Sequence, residues 1–132
     1  HWIEPVAGVE RAAELVRPGG LVALVWTEVV SWGGDAFESR LADAFGAVWP
    51  KHVPHIAASM AGLAGDPRFG PFETRRHRFE RDLSGPDLVA VTRTYGGQHS
   101  VERDEILLTI VEDLGGSVTK VEDAVLHLTR RT

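Results

Sequence analysis

The run Val16-Arg17-Pro18-Gly19-Gly20-Leu21-Val22-Ala23-Leu24-Val25-Trp26 constrains this chain more than any other stretch. Pro18 disfavours helical geometry at Arg17, so a preceding helix must stop there. Gly19 and Gly20 permit a sharp reversal. The next six residues are apolar without alternation, which is the pattern of a strand covered on both faces. The expectation is a helix-to-strand unit whose strand sits in the middle of a sheet, not at its edge.

The remaining pattern places elements on both sides of this unit. Pro5 suits a first helical turn, and Val6, Val9, Ala13 and Val16 give one apolar face over 5–16. The strand is expected over about 21–28, with Ser31-Trp32-Gly33-Gly34 as a loop. Asp35 and Glu38 have the spacing of a capping pair. Phe37, Leu41, Ala44, Phe45 and Val48 make the stripe of a second helix that Trp49-Pro50 ends. The signal weakens over 51–71, where a short helix spans Ile56 to Leu63. A strand from Glu73 to Arg81 carries Arg75, Arg76, Arg78 and Arg81, charge that suits a sheet edge. Ser84 and Asp87 cap a helix bearing Leu88, Val91, Thr92 and Tyr95, which Gly96-Gly97 ends. A further helix covers Val101 to Leu114, and a long strand covers Val118 to Thr129. Helices separate every strand, so the reading is an α/β layered sheet with three strands and flanking helices, in a single domain over 1–132.

Bulk properties exclude some chemistry. The net charge of −5 argues against a nucleic-acid partner, whose phosphates need a basic face. No cysteine is present, which removes disulfides and thiolate catalysis and fits a cytoplasmic location. No apolar run approaches membrane-spanning length, so no membrane partner is expected. The chain opens on His1-Trp2 without an initiator Met, as a fragment, a processed product or an internal start would.

The order of motifs resembles the class I S-adenosylmethionine-dependent methyltransferases of the small-molecule type. The resemblance rests on His1-Trp2-Ile3-Glu4-Pro5, on Ala12 to Gly20 leading into Leu21–Trp26, on Thr94-Tyr95-Gly96-Gly97-Gln98-His99, and on Val125-Leu126-His127-Leu128. It covers essentially the whole chain and implies the C-terminal half of such a domain, part of a Rossmann-like sheet. It also implies S-adenosylmethionine as cofactor and a small-molecule methyl acceptor. The family's glycine-rich loop, the acidic residue ending its second strand and the polar pair near its fourth are absent. No Gly-x-Gly-x-Gly run occurs. The alternative is therefore a non-catalytic methyltransferase fragment that folds and oligomerises without binding cofactor. Lacking its usual neighbour, the Leu21–Trp26 strand is expected to pair in a homodimer or with the missing N-terminal half.

By resemblance, His1 and Trp2 stand at the cofactor mouth. Trp26 and Thr27 end the strand where substrates lie in open α/β sheets. Tyr95 and His99 flank a glycine pair that would close over an acceptor, with His99 available as a general base. Packing roles compete at Trp26 and Tyr95, and a plain loop position competes at His99. His52 and His55 have a zinc-like spacing but no Cys and no evident third ligand, so no metal is expected. The arginine-rich strand would serve an anion-binding module, against the simpler reading of a solvated edge. No Gly-x-Ser-x-Gly elbow supports hydrolysis.

Overall fold

The computed structural model describes residues 4–47, 49, 54–95 and 99–132, with the backbone alone at 54–56. Helix α1 (Pro5–Leu15) is followed by strand β1 (Leu21–Trp32), α2 (Gly34–Phe45) and α3 (Pro54–Gly65). Then come β2 (Glu73–Ser84), α4 (Gly85–Arg93), α5 (Val101–Asp113) and β3 (Ser117–Arg130). The expected α/β alternation is present, with three strands and flanking helices.

Local chemistry accounts for the boundaries. Glu4 caps α1 by accepting from the amides of Val6 and Ala7 at 3.1 and 2.8 Å. Gly19 has φ +74°, and its amide donates to the Arg131 carbonyl at 2.7 Å. A Cβ on Gly20 would lie 2.6 Å from a Val16 methyl, so the turn admits glycine alone there. Ser84 and Ser100 cap α4 and α5 through the amides of Asp87 and Arg103. The expected loop at Ser31-Trp32 is instead the end of β1, and Trp32 is buried. The second helix also begins differently. Gly33, at φ +108°, is its cap position, and Asp35 makes no cap bond. Glu38 reaches back to the Trp32 amide at 3.0 Å, and Ser31 Oγ accepts from the Gly34 amide at 2.9 Å.

The strand order is β1-β3-β2. The closing residues of β3 pair with the residues just before β1 and β2, as in Arg131 N to Gly20 O at 2.9 Å and Gly70 N to Arg130 O at 2.8 Å. β3 therefore runs antiparallel to both neighbours. This corrects the expectation of a parallel Rossmann-like pairing. The reason lies in the α4–α5 excursion. Thr119 Oγ1 donates to Asp82 Oδ1 at 2.6 Å, so the excursion leaves and returns at one end of the sheet. The order also corrects the position of the apolar strand: β1 lies at an edge of the three, and β3 is central. Exposure alternates along β1. Val22 and Leu24 pack with α1 and α3, while Leu21 and Val25 are 50% and 70% exposed. β2, as its charge implied, takes the other edge.

The chain divides into two compact units. One comprises residues 1–28, 52–77 and 123–132, and the other 29–51 and 78–122, so each strand contributes to both. In the first unit Val9, Ala13, Leu63 and Phe69 form the core between α1, α3 and the strand segments. Arg68 bridges Asp66 and Glu10 at 2.6 and 2.9 Å, tying the turn after α3 to α1. That guanidinium pulls the Asp66 carboxyl down to about 2. In the second unit Trp32, Phe37, Leu41, Leu88, Leu107 and Val111 are the centre of a larger core, which α2, α4 and α5 close.

Candidate functional site

Two polar clusters stand on the strands, one in each unit. In the first unit Trp26 stacks on His127, with ring centroids 4.6 Å apart and planes 28° from parallel. Phe72 presents itself edge-on to the same imidazole at 6.1 Å. Thr74 Oγ1 lies 2.6 Å from His127 Nδ1. Beside them Arg76 holds Glu28 through its Nη1 and comes to 4.0 Å from Asp123. The Trp26 indole N–H points to Glu28 Oε1 at 3.4 Å. Alternation along β1 explains the grouping: Trp26 and Glu28 share a face with Val22 and Leu24. Thr27 is on the opposite face and is exposed, so the structure separates the two residues that the sequence paired.

Electrostatics sets the protonation states. Partial burial pushes the His127 imidazole below its ordinary value; the Arg76 charge adds to this, and Glu28 opposes it. The hydrogen bond from Arg76 holds the Glu28 carboxyl below the ordinary carboxylate value, against partial burial. A neutral His127 whose Nδ1 keeps its proton and donates to Thr74 has a lone pair at Nε2. Among the described residues Nε2 has no partner. Among the described residues Asp104 Oδ1 is the only sealed side-chain polar atom without one, and His127 is half-buried.

The second unit holds a different assembly. Lys120 is 1% exposed, and its Nζ donates to Glu122 Oε1 at 2.6 Å and to the Tyr95 hydroxyl at 2.9 Å. It also lies 4.3 Å from the centre of the Trp32 ring. Arg81 takes the other oxygen of Glu122, with its Nε at 3.0 Å. Trp32 meets Tyr95 and Trp49 edge-to-face at 5.7 and 4.9 Å. The ammonium has hydrogen-bond acceptors and an aromatic face, and no room for a ligand. Tyr95, proposed at a substrate mouth, serves here as the outer wall of a buried ion pair, although the residue as a whole is 59% exposed.

The other predicted positions divide. His99 is exposed just ahead of α5. His1, Trp2, Gly96, Gly97, Gln98, His52 and the side chain of His55 lie outside the described residues. Among the described residues no group of His, Asp and Glu has the arrangement of a metal site. Arg75, Arg76 and Arg81 each reach a carboxylate, on Glu73, Glu28 and Glu122. Two open grooves in the second unit, of about 440 and 650 Å³, contain none of the predicted residues. Lys120 and Glu122 were not singled out in the sequence, and His127 only within the Val125–Leu128 motif. Their signal is charge at the alternate positions Lys120 and Glu122, and an imidazole within the apolar run Ala124–Leu128.

Neither strand-flanking glycine turn among the described residues resembles a cofactor loop with free amides. The Gly19 and Gly20 amides are spent on Arg131 and Arg17 carbonyls. At Gly33-Gly34, which joins a strand to a helix, Glu38 and Ser31 occupy the donors that a ligand would need. Models of known protein families and curated proteins give no match to the chain. Among the described residues no helix is long and apolar enough to cross a membrane.

Proposed function

We propose that this chain is the acceptor-side part of an S-adenosylmethionine-dependent methyltransferase acting on a small molecule. The observation that carries this reading is the Trp26–His127 cluster. It sits at the middle of β1 and near the carboxyl end of β3, where half-buried rings offer a small molecule a flat surface. The element order, with a turn of Pro-Gly-Gly into β1, supports it. Cofactor contacts then come from another segment or chain. β1 offers an unpaired edge for it, with no charge from Leu21 to Thr27. A second copy of this chain, paired through β1 in a homodimer, fits the same edge. The absence of cysteine agrees with a cytoplasmic setting.

The self-capped glycine turns favour a second reading, a non-catalytic module that folds and oligomerises without cofactor. Calorimetric titration with S-adenosylhomocysteine, with light scattering for mass, separates the two. Micromolar binding supports the enzyme. No binding by a dimer supports the module.

A further inference from the structure

The Trp26–His127 cluster has a feature that packing leaves unused. Its imidazole is fixed by a stack on one face, by the Phe72 edge and by Thr74 at Nδ1. Among the described residues the hydrogen bond of this ring is at Nδ1, and Nε2 makes none. In the tautomer whose Nδ1–H donates to Thr74, Nε2 is an acceptor; Trp26, His127 and Phe72 are all half-buried, so flat apolar surface surrounds it. A half-desolvated acceptor beside aromatic surface rewards a ligand that supplies both a donor and a ring.

Charge narrows the class. Arg76, the cation beside the cluster, is already held by Glu28 and Asp123. Arg75, next to it in sequence, is held by Glu73. An anionic ligand would meet carboxylates that have no cation to spare. A neutral donor meets no such penalty.

We propose that the cluster is a binding site for an uncharged aromatic ligand bearing a hydroxyl group. The hydroxyl donates to His127 Nε2 while the ring packs along Trp26 and Phe72. The inference needs no methyl donor and stands apart from the methyltransferase reading.

The test uses the whole chain with three naphthalene probes that differ in one group: 2-naphthol, 2-methoxynaphthalene and 2-naphthoate. Binding is followed by the ¹⁵N resonances of the His127 imidazole and by Trp fluorescence. 2-Naphthol is expected to shift the Nε2 resonance and to bind about fivefold more tightly than its methyl ether, the worth of one hydrogen bond. 2-Naphthoate is expected to bind more weakly than either. His127→Phe keeps a flat ring and removes the acceptor, so naphthol and its ether should then bind alike. His127→Gln keeps an acceptor and should retain part of the preference. Thermal melts verify that both variants fold. Equal binding of naphthol and ether to the unmodified chain overturns the proposal. So does preferred binding of naphthoate, or naphthol binding that leaves the His127 resonances unmoved. A chain that binds naphthol but not S-adenosylhomocysteine keeps this site and loses the methyltransferase reading. The reverse result keeps that reading and removes this site.

Discussion

The two ionic clusters use similar residues for opposite ends. Around Lys120, a cation that is almost wholly buried has Glu122, the Tyr95 hydroxyl and the Trp32 ring about it. Around His127, the ring is half-exposed, one nitrogen is held and the other is open. The first arrangement leaves nothing for a ligand to gain. The second has a fixed orientation and an unused acceptor. Burial with complete satisfaction marks structure; partial burial with one vacancy in the hydrogen bonding marks a place for chemistry.

The sharpest way to break this contrast is at Glu122. Glu122→Gln leaves Lys120 buried without a counter-ion and should cost about 3–5 kcal/mol in urea unfolding. The double replacement Lys120→Met with Glu122→Leu should recover most of that loss, because it removes charge and desolvation together. If the double variant stays as unstable as Glu122→Gln, the cluster is not held by charge pairing. Tyr95→Phe deletes a single bond to the ammonium and should cost about 1.5 kcal/mol. Naphthol binding at Trp26 should be unchanged in that variant. Glu28→Gln in the other cluster removes a pair that is largely exposed, so at most about 1 kcal/mol is expected, shrinking further in high salt. A loss comparable to that of Glu122→Gln would erase the distinction between the two regions.

The smallest effect is a pH dependence. His127 has a folded-state value below the ordinary imidazole value, so the unfolded chain takes up its proton first as pH falls. Stability should decline as pH drops below about 6.5, and level off once the folded imidazole protonates. Glu28 acts in a lower window. Its contribution is complete above the ordinary carboxylate range and is lost as pH falls through its depressed folded value. Unfolding midpoints of His127→Gln should lack the decline in the imidazole range and keep the one at acid pH.

Much of this fold was legible from local signals, because caps and breakers act within a few residues. Pro18-Gly19-Gly20 and Ser84 mark boundaries that the structure has. What the sequence did not convey was pairing. The apolar run of β1 reads alike whether its second face is covered or not. Leu21 and Val25 are outward because the covering elements α1 and α3 pack with Val22 and Leu24. The direction of β3 depended on where the α4–α5 excursion returns, which no local signal encodes. The site was half legible. Trp26 stood out by its place at the end of an apolar run. His127 did not, since an imidazole in a strand becomes a site only when Thr74 and Arg76, some fifty positions away, fall beside it.

The central place of β3 has a consequence for how the molecule is made. β1 and β2 each have β3 as their strand neighbour, yet β3 is the last element of the eight to leave the ribosome. Until residues 117–130 emerge, neither earlier strand has a hydrogen-bonded partner in this sheet. The helices can form as they appear, but the sheet must wait, and its closure joins positions as distant as Gly20 and Arg131. Long-range closure of this kind is slow and leaves apolar strand edges open meanwhile. The sheet should therefore close only after β3 has been made, with β1 the segment most in need of a chaperone before then.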